Sequence, residues 1–176
     1  MPTRGEPAPG RADRLRLLDL RTPPMRAFHL SWIAFFVCFY AWFGIAPLLP
    51  AIRADLSLTP AQEGNLLVAL VALAIPSRLL LGRLCDRVGP RRTFGWLLLA
   101  GAIPVAGMGL AQGYRSLLCL SLAVGAIGGS FVVNQAHVTA MFAPRVVGTA
   151  TATAAGWGNL GAGAANAAMP WLMAAF

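Results

Sequence analysis

Arg78 is the only charged residue in the apolar stretch from Gly64 to Gly82. On insertion scales an arginine at the centre of a spanning helix costs about 2.5–3.5 kcal/mol, which makes it a functional candidate by default. Its guanidinium is planar, always charged, and offers a fork of donors suited to a flat oxyanion. A second reading stands beside this one. Arg78 precedes Arg83 by five residues, roughly 7.5 Å of helix rise, so its head can also snorkel to the interface. Further along, the string Ala154-Ala155-Gly156-Trp157-Gly158-Asn159-Leu160-Gly161-Ala162-Gly163 sets four glycines around one amide. Glycines at this density weaken a helix in water. Inside a bundle they allow either close helix packing or an unwound stretch beside a ligand path. Asn159 can hydrogen-bond an anion oxygen or a neighbouring backbone. A third string, Gly82-Arg83-Leu84-Cys85-Asp86-Arg87-Val88-Gly89-Pro90-Arg91-Arg92, has glycines for a helix end and a turn, and one carboxylate among four arginines. Asp86 can cap a helix or pair with its neighbours. The string reads either as a latch or as an ordinary basic loop.

The elements that carry these residues follow from the distribution of charge. The chain is 57% hydrophobic and 11% charged, against about 25% charged in a soluble domain. No charge falls in Ala27–Ile52, Thr93–Tyr114, Ser116–Pro144 or Val146–Phe176. Each stretch reaches the ~20 residues that cross a bilayer core. Together with Gly64–Gly82 they predict an all-α, polytopic membrane bundle with spans at about 28–50, 64–82, 93–113, 116–143 and 146–175. The net charge of +8 comes from arginines in the tail and short loops, with no lysine. That pattern points to a lipid bilayer rather than nucleic acid. Met1 to Arg26 reads as a mobile, cytosolic Arg/Pro-rich tail ahead of the incomplete bundle 27–176, and the first span reads as retained rather than cleaved. The tail, the Arg83–Arg92 loop and Arg145 are basic and are expected inside. The Ala51–Glu63 loop and the Arg115 turn are expected outside. Cys38, Cys85 and Cys119 show no metal-ligand spacing, and no nucleophile–base pair or phosphate loop suggests an enzyme. No cofactor and no metal are expected. The small-residue rows Gly125/Gly129 and Gly148/Ala152/Gly156 read as helix packing.

The loop Gly82 to Arg92 closely resembles, in letters and position, the signature that follows the second helix in the major facilitator superfamily. Gly82, Asp86, Arg87, Gly89, Arg91 and Arg92 carry that match. The fifth-span string resembles the nitrate signature of the nitrate/nitrite porter family within that superfamily. Met25 to Trp32 and Gly129 to Gln135 agree with the same proteins, so the resemblance covers about Met25 to Phe176. It implies transport of nitrate, and possibly nitrite, at the cell inner (plasma) membrane, with the N-terminus cytoplasmic. It further implies Arg78 as a nitrate clamp, Phe131 as an aromatic wall of the substrate site, and Gly156, Gly158, Asn159, Gly161 and Gly163 as the signature of the fifth helix.

The family has twelve spans in two halves with substrate bound between them, whereas this chain stops in or just after the fifth. The resemblance therefore implies a fragment, a truncated frame or half of a split transporter, needing a C-terminal half for transport. Two other readings remain: transport of another solute by a different facilitator, and a non-transporting membrane interaction protein built from half a transporter. No acid lies in any span. His29 and His137 are the only side chains that titrate near neutral pH, so proton symport and anion exchange both stay open.

Overall fold

The computed structural model describes residues 11–175. Helices account for the architecture: α1 Pro23–Phe43, α2 Leu49–Asp55, α3 Pro60–Ala72, α4 Ala74–Val88, α5 Pro90–Met108, α6 Tyr114–Gly125, α7 Ser130–Met141 and α8 Pro144–Ala175. Tight 3₁₀ turns at Ala46–Leu48 and Ala126–Gly129 join α1 to α2 and α6 to α7.

Prolines set several of the boundaries. Pro47 lies four residues beyond Phe43, and Pro76 four beyond Ala72, so neither carbonyl meets an amide one turn on. α1 and α3 end at those residues. Gly89 closes α4 at φ 87, a conformation open to glycine, and Pro90 then opens α5. Thr59 and Gln62 form a capping box that starts α3.

Three rods are long and apolar enough to cross a membrane: Pro23–Asp55, Pro60–Val88 and Tyr114–Met141. Neither α5 nor α8 is among them. α5 carries Arg91 and Arg92 in its first turn, and α8 is built largely of alanine, glycine and threonine rather than leucine and isoleucine. The α8 residues Ala150, Ala154, Gly158, Gly161 and Ala165 are buried. Their spacing of three and four makes one stripe, and this stripe lies along α1.

The main core gathers Phe35, Trp42, Leu66, Leu117, Val124 and Val133. Glycines bring the rods close. Trp42 donates its indole N–H to the Leu70 carbonyl at 2.6 Å. A Cβ on Gly125 would stand 2.7 Å from that same oxygen, and one on Gly129 2.5 Å from Leu81. Of the residues read as packing, Gly148 and Gly156 instead have open space where a Cβ would go.

The described part of the tail makes specific contacts with the bundle. From Ala12 onward it docks on the turn between α7 and α8. Ala12 N–H donates to the Met141 carbonyl at 2.8 Å, and Ala143 N–H to the Ala12 carbonyl at 3.0 Å. Asp13 pairs with Arg145 at 3.3 Å. Leu15 and Leu17 pack on a second cluster with Met25, Phe28 and Phe142. Two apolar side chains and a pair of main-chain bonds hold this segment despite its local charge. Asp19 then leads into α1, accepting from the Arg21 and Thr22 amides at 2.9 and 3.3 Å. The Arg21 amide holds its carboxyl below the ordinary carboxylate range. Residues Met1–Gly10 lie outside the described residues.

These contacts also sort the turns by end. The tail meets Arg145, and the first turn of α1 shares a cavity with Arg91. At the opposite end Arg53 bridges to Glu63 at 3.0 Å, and Asn65 donates to the Tyr114 hydroxyl at 3.1 Å.

Candidate functional site

Arg78 sits on α4, two residues after Pro76 and five after the break between α3 and α4 at Leu73. It is exposed, and among the described residues it makes no ion pair and no side-chain hydrogen bond. Its direction follows from its neighbour one turn on. Gly82 shares its face of the helix, and a Cβ there would rest 3.7 Å from Val132 on α7. The side of α4 that carries Gly82 therefore faces α7.

Phe131, the residue before Val132, is half-buried. Its ring meets Phe35 of α1 edge-on, with centroids 5.9 Å apart. Phe35 in turn stacks edge-on against Phe39 at 4.3 Å and is fully buried. α7 packs against both α4 and α8, so Phe131 belongs to the helix between the one bearing Arg78 and the one bearing Asn159.

On α8 the signature glycines divide by face. Gly158 lies directly under the Phe35 ring, and Gly161 under the backbone of Phe36 and Tyr40. Both are buried, and both allow α8 to lie on α1. Gly156 and Gly163, seven residues apart, have open space where a Cβ would go. Asn159 is exposed on that open side, next to Ala162, which packs on the main core. Trp157 occupies the other flank, its ring edge-on to Trp32 at 4.9 Å. The helix runs unbroken through all four glycines.

The structure thus joins Phe131, Phe35 and Gly158 directly. It leaves Arg78 and Asn159 as two exposed polar groups flanking α7. A guanidinium, an amide and an aromatic face are a suitable set of groups for a small planar anion.

The signature string around Asp86 behaves differently. Asp86, Arg83, Arg87, Arg91 and Arg92 are exposed or nearly so, and none forms an ion pair among the described residues. Gly89 makes the turn between α4 and α5, while Thr93 returns its hydroxyl to the Gly89 carbonyl at 2.9 Å.

One polar pair was not assigned a role from the sequence. Ser31 of α1 donates to the Asn134 amide oxygen at 2.8 Å, with both side chains buried. Among the described residues the Asn134 amide nitrogen has no partner. A serine and an asparagine within charge-free spans were the available signal, since polar groups in lipid seek each other across helices.

Long apolar rods, glycine-packed crossings and an exposed arginine within an apolar stretch define a multi-pass helical membrane protein. The chain belongs to the Major Facilitator Superfamily, whose sequence profile matches residues 31–176. It is 40% identical over 162 residues to a probable high-affinity nitrate transporter 2.4 of Oryza sativa subsp. japonica, covering 92% of this chain and 33% of that protein. It is 40% identical over 147 residues to the nitrate/nitrite transporter NrtP of Nostoc punctiforme, covering 84% and 29%. It is 42% identical over 161 residues to nitrate transporter 2.1 of Chlamydomonas reinhardtii, covering 92% and 29%. The chain spans about a third of the length of these curated relatives. No solved structure matches it.

Proposed function

We propose that this chain supplies one wall of a nitrate-transport path, with nitrite as a second substrate, in a complete facilitator whose remaining helices supply the opposite wall. The observation that carries this reading is Arg78, an exposed guanidinium with no ion pair among the described residues, in the stretch Gly64–Gly82 that is otherwise free of charge. A planar trigonal anion satisfies its fork and neutralises it, which offsets the cost of holding it in the membrane. Relatives whose names specify nitrate or nitrite support that choice of anion. In this reading Phe131 forms the apolar wall and Asn159 donates its amide. Gly156 and Gly163 keep the open face of α8 low, and Gly158 and Gly161 set the α1–α8 distance.

Uptake by a complete transporter carrying this segment tests the amide. Asn159→Leu removes a hydrogen bond to a charged group, so nitrate uptake is expected to fall about tenfold or more at unchanged membrane abundance. Near-normal uptake with leucine would reduce Asn159 to a packing role.

Orientation belongs to the same proposal. The basic tail and the Arg83–Arg92 turn face the cytosol, and the α2–α3 turn faces outward. A cysteine at Ser57, in a background where Cys38, Cys85 and Cys119 are replaced, should react with an impermeant maleimide in intact cells. Reaction only after permeabilisation would invert the topology.

A further inference from the structure

A cavity of about 290 Å³ opens where the first turns of α1 and α5 meet the second half of α7, and Arg26, Ser31, Arg91 and His137 line it with Pro23, Ala27, Leu30 and Phe94. None of its lining residues belongs to α4 or α8, and the transport reading makes no use of it. We propose that this cavity binds a phosphate group, either the headgroup phosphate of an anionic phospholipid or free inorganic phosphate.

Four observations converge on that chemistry. Arg26 and Arg91 come from different helices, and neither forms an ion pair among the described residues. No carboxylate lines the cavity. The N-termini of α1 and α5, both long helices, open beside it, so two positive dipole ends add to the two guanidiniums. His137 has a buried ring nitrogen, Nδ1, with no partner among the described residues, which is an unusual state for a buried polar atom. Ser31 is already engaged with Asn134 and fixes one wall. The cavity lies at the mouths of α1 and α5, where the apolar rod Pro23–Asp55 begins. Basic pockets between spanning helices at that level take anionic headgroups. Leu30 is 68% exposed and gives the rim an apolar edge beside the lipid.

The test uses the purified chain in detergent, challenged with phosphatidylglycerol, with phosphatidylcholine and with sodium phosphate, and read by native mass spectrometry and thermal shift. The wild type should retain phosphatidylglycerol over phosphatidylcholine or be stabilised by millimolar phosphate. Lipid retention alone assigns the headgroup, and phosphate stabilisation alone assigns the free ion. The double variant Arg26→Gln/Arg91→Gln should lose roughly tenfold to a hundredfold in affinity, as expected for two charge-assisted contacts. Arg26→Lys/Arg91→Lys should keep most of the binding, because lysine also binds phosphate as a point charge. Arg92→Gln removes the same kind of charge one residue away, outside the cavity, and should have little effect. A wild type with neither lipid preference nor phosphate stabilisation overturns the proposal, and this result does not depend on any variant folding. Equal loss in Arg92→Gln also overturns it, since binding would then follow net charge rather than the cavity.

Discussion

Replacing Gly161 with alanine is expected to destabilise the protein and lower its yield in membranes, whereas the same change at Gly163 is expected to be tolerated. The added Cβ at 161 meets the carbonyl of Phe36 and the amide of Tyr40, which are main-chain atoms of α1. Neither can move without separating the two helices. Gly158→Ala meets the Phe35 ring. That ring is fully buried and held by Phe39 and Phe131, so it has no free rotamer to adopt. Overpacking of this kind costs about 1–3 kcal/mol, on the order of 2–4 °C of melting temperature per kcal/mol for a chain of this size. At Gly156 and Gly163 a methyl meets nothing within 4 Å, and alanine gains helix propensity. Thermal melting of the four alanine variants in detergent checks the pattern. Equal melting temperatures at 161 and 163 would mean that α8 does not lie on α1 as described.

That division among the glycines shows what the sequence could and could not convey. The density of glycine in the string marked it as either a packing surface or a ligand path, and the structure divides it by face: Gly158 and Gly161 lie on α1, while Gly156 and Gly163 have open space. The 3.6-residue period puts 158 and 161 together and 156 and 163 together. Which pair meets α1 depends on where Phe35 stands, and that is a tertiary fact. The helical membrane class was legible, because long charge-free stretches have few other uses. The ends of the rods were less so. The charge-free interval from Ala27 to Ile52 suggested one helix, but Pro47 ends α1 at Phe43, and Pro76 divides the second span just before Arg78. The docking of the tail from Ala12 onward was not legible, because its charge outweighed Leu15 and Leu17 in a local reading. Its docking rests on main-chain bonds to Met141 and Ala143, which leave no mark in side-chain pattern. Ser31 and Asn134 lay in plain view but carried no motif pairing one with the other.

Arg78 carries the account of function, and its two readings differ in what lysine can replace. As an anion ligand it contributes both charge and a planar fork of donors. Arg78→Lys keeps the charge and loses the fork. Loss of one charge-assisted hydrogen bond, worth about 1.5–3 kcal/mol, weakens nitrate binding roughly tenfold to a hundredfold. Arg78→Ala removes both and should abolish uptake. As a snorkelling surface group, arginine contributes a long stem and a charge at the interface, and lysine supplies both equally well. The surrounding geometry favours the first reading, because Arg78 shares a helix face with Gly82, which rests on α7 at Val132. The decisive measurement is nitrate uptake, with its concentration dependence, by a complete transporter carrying this segment as wild type or Arg78→Lys at matched membrane abundance. The account predicts a half-saturating nitrate concentration at least about tenfold higher with lysine. Lysine uptake that matches wild type across the nitrate range would contradict it and return Arg78 to the membrane boundary.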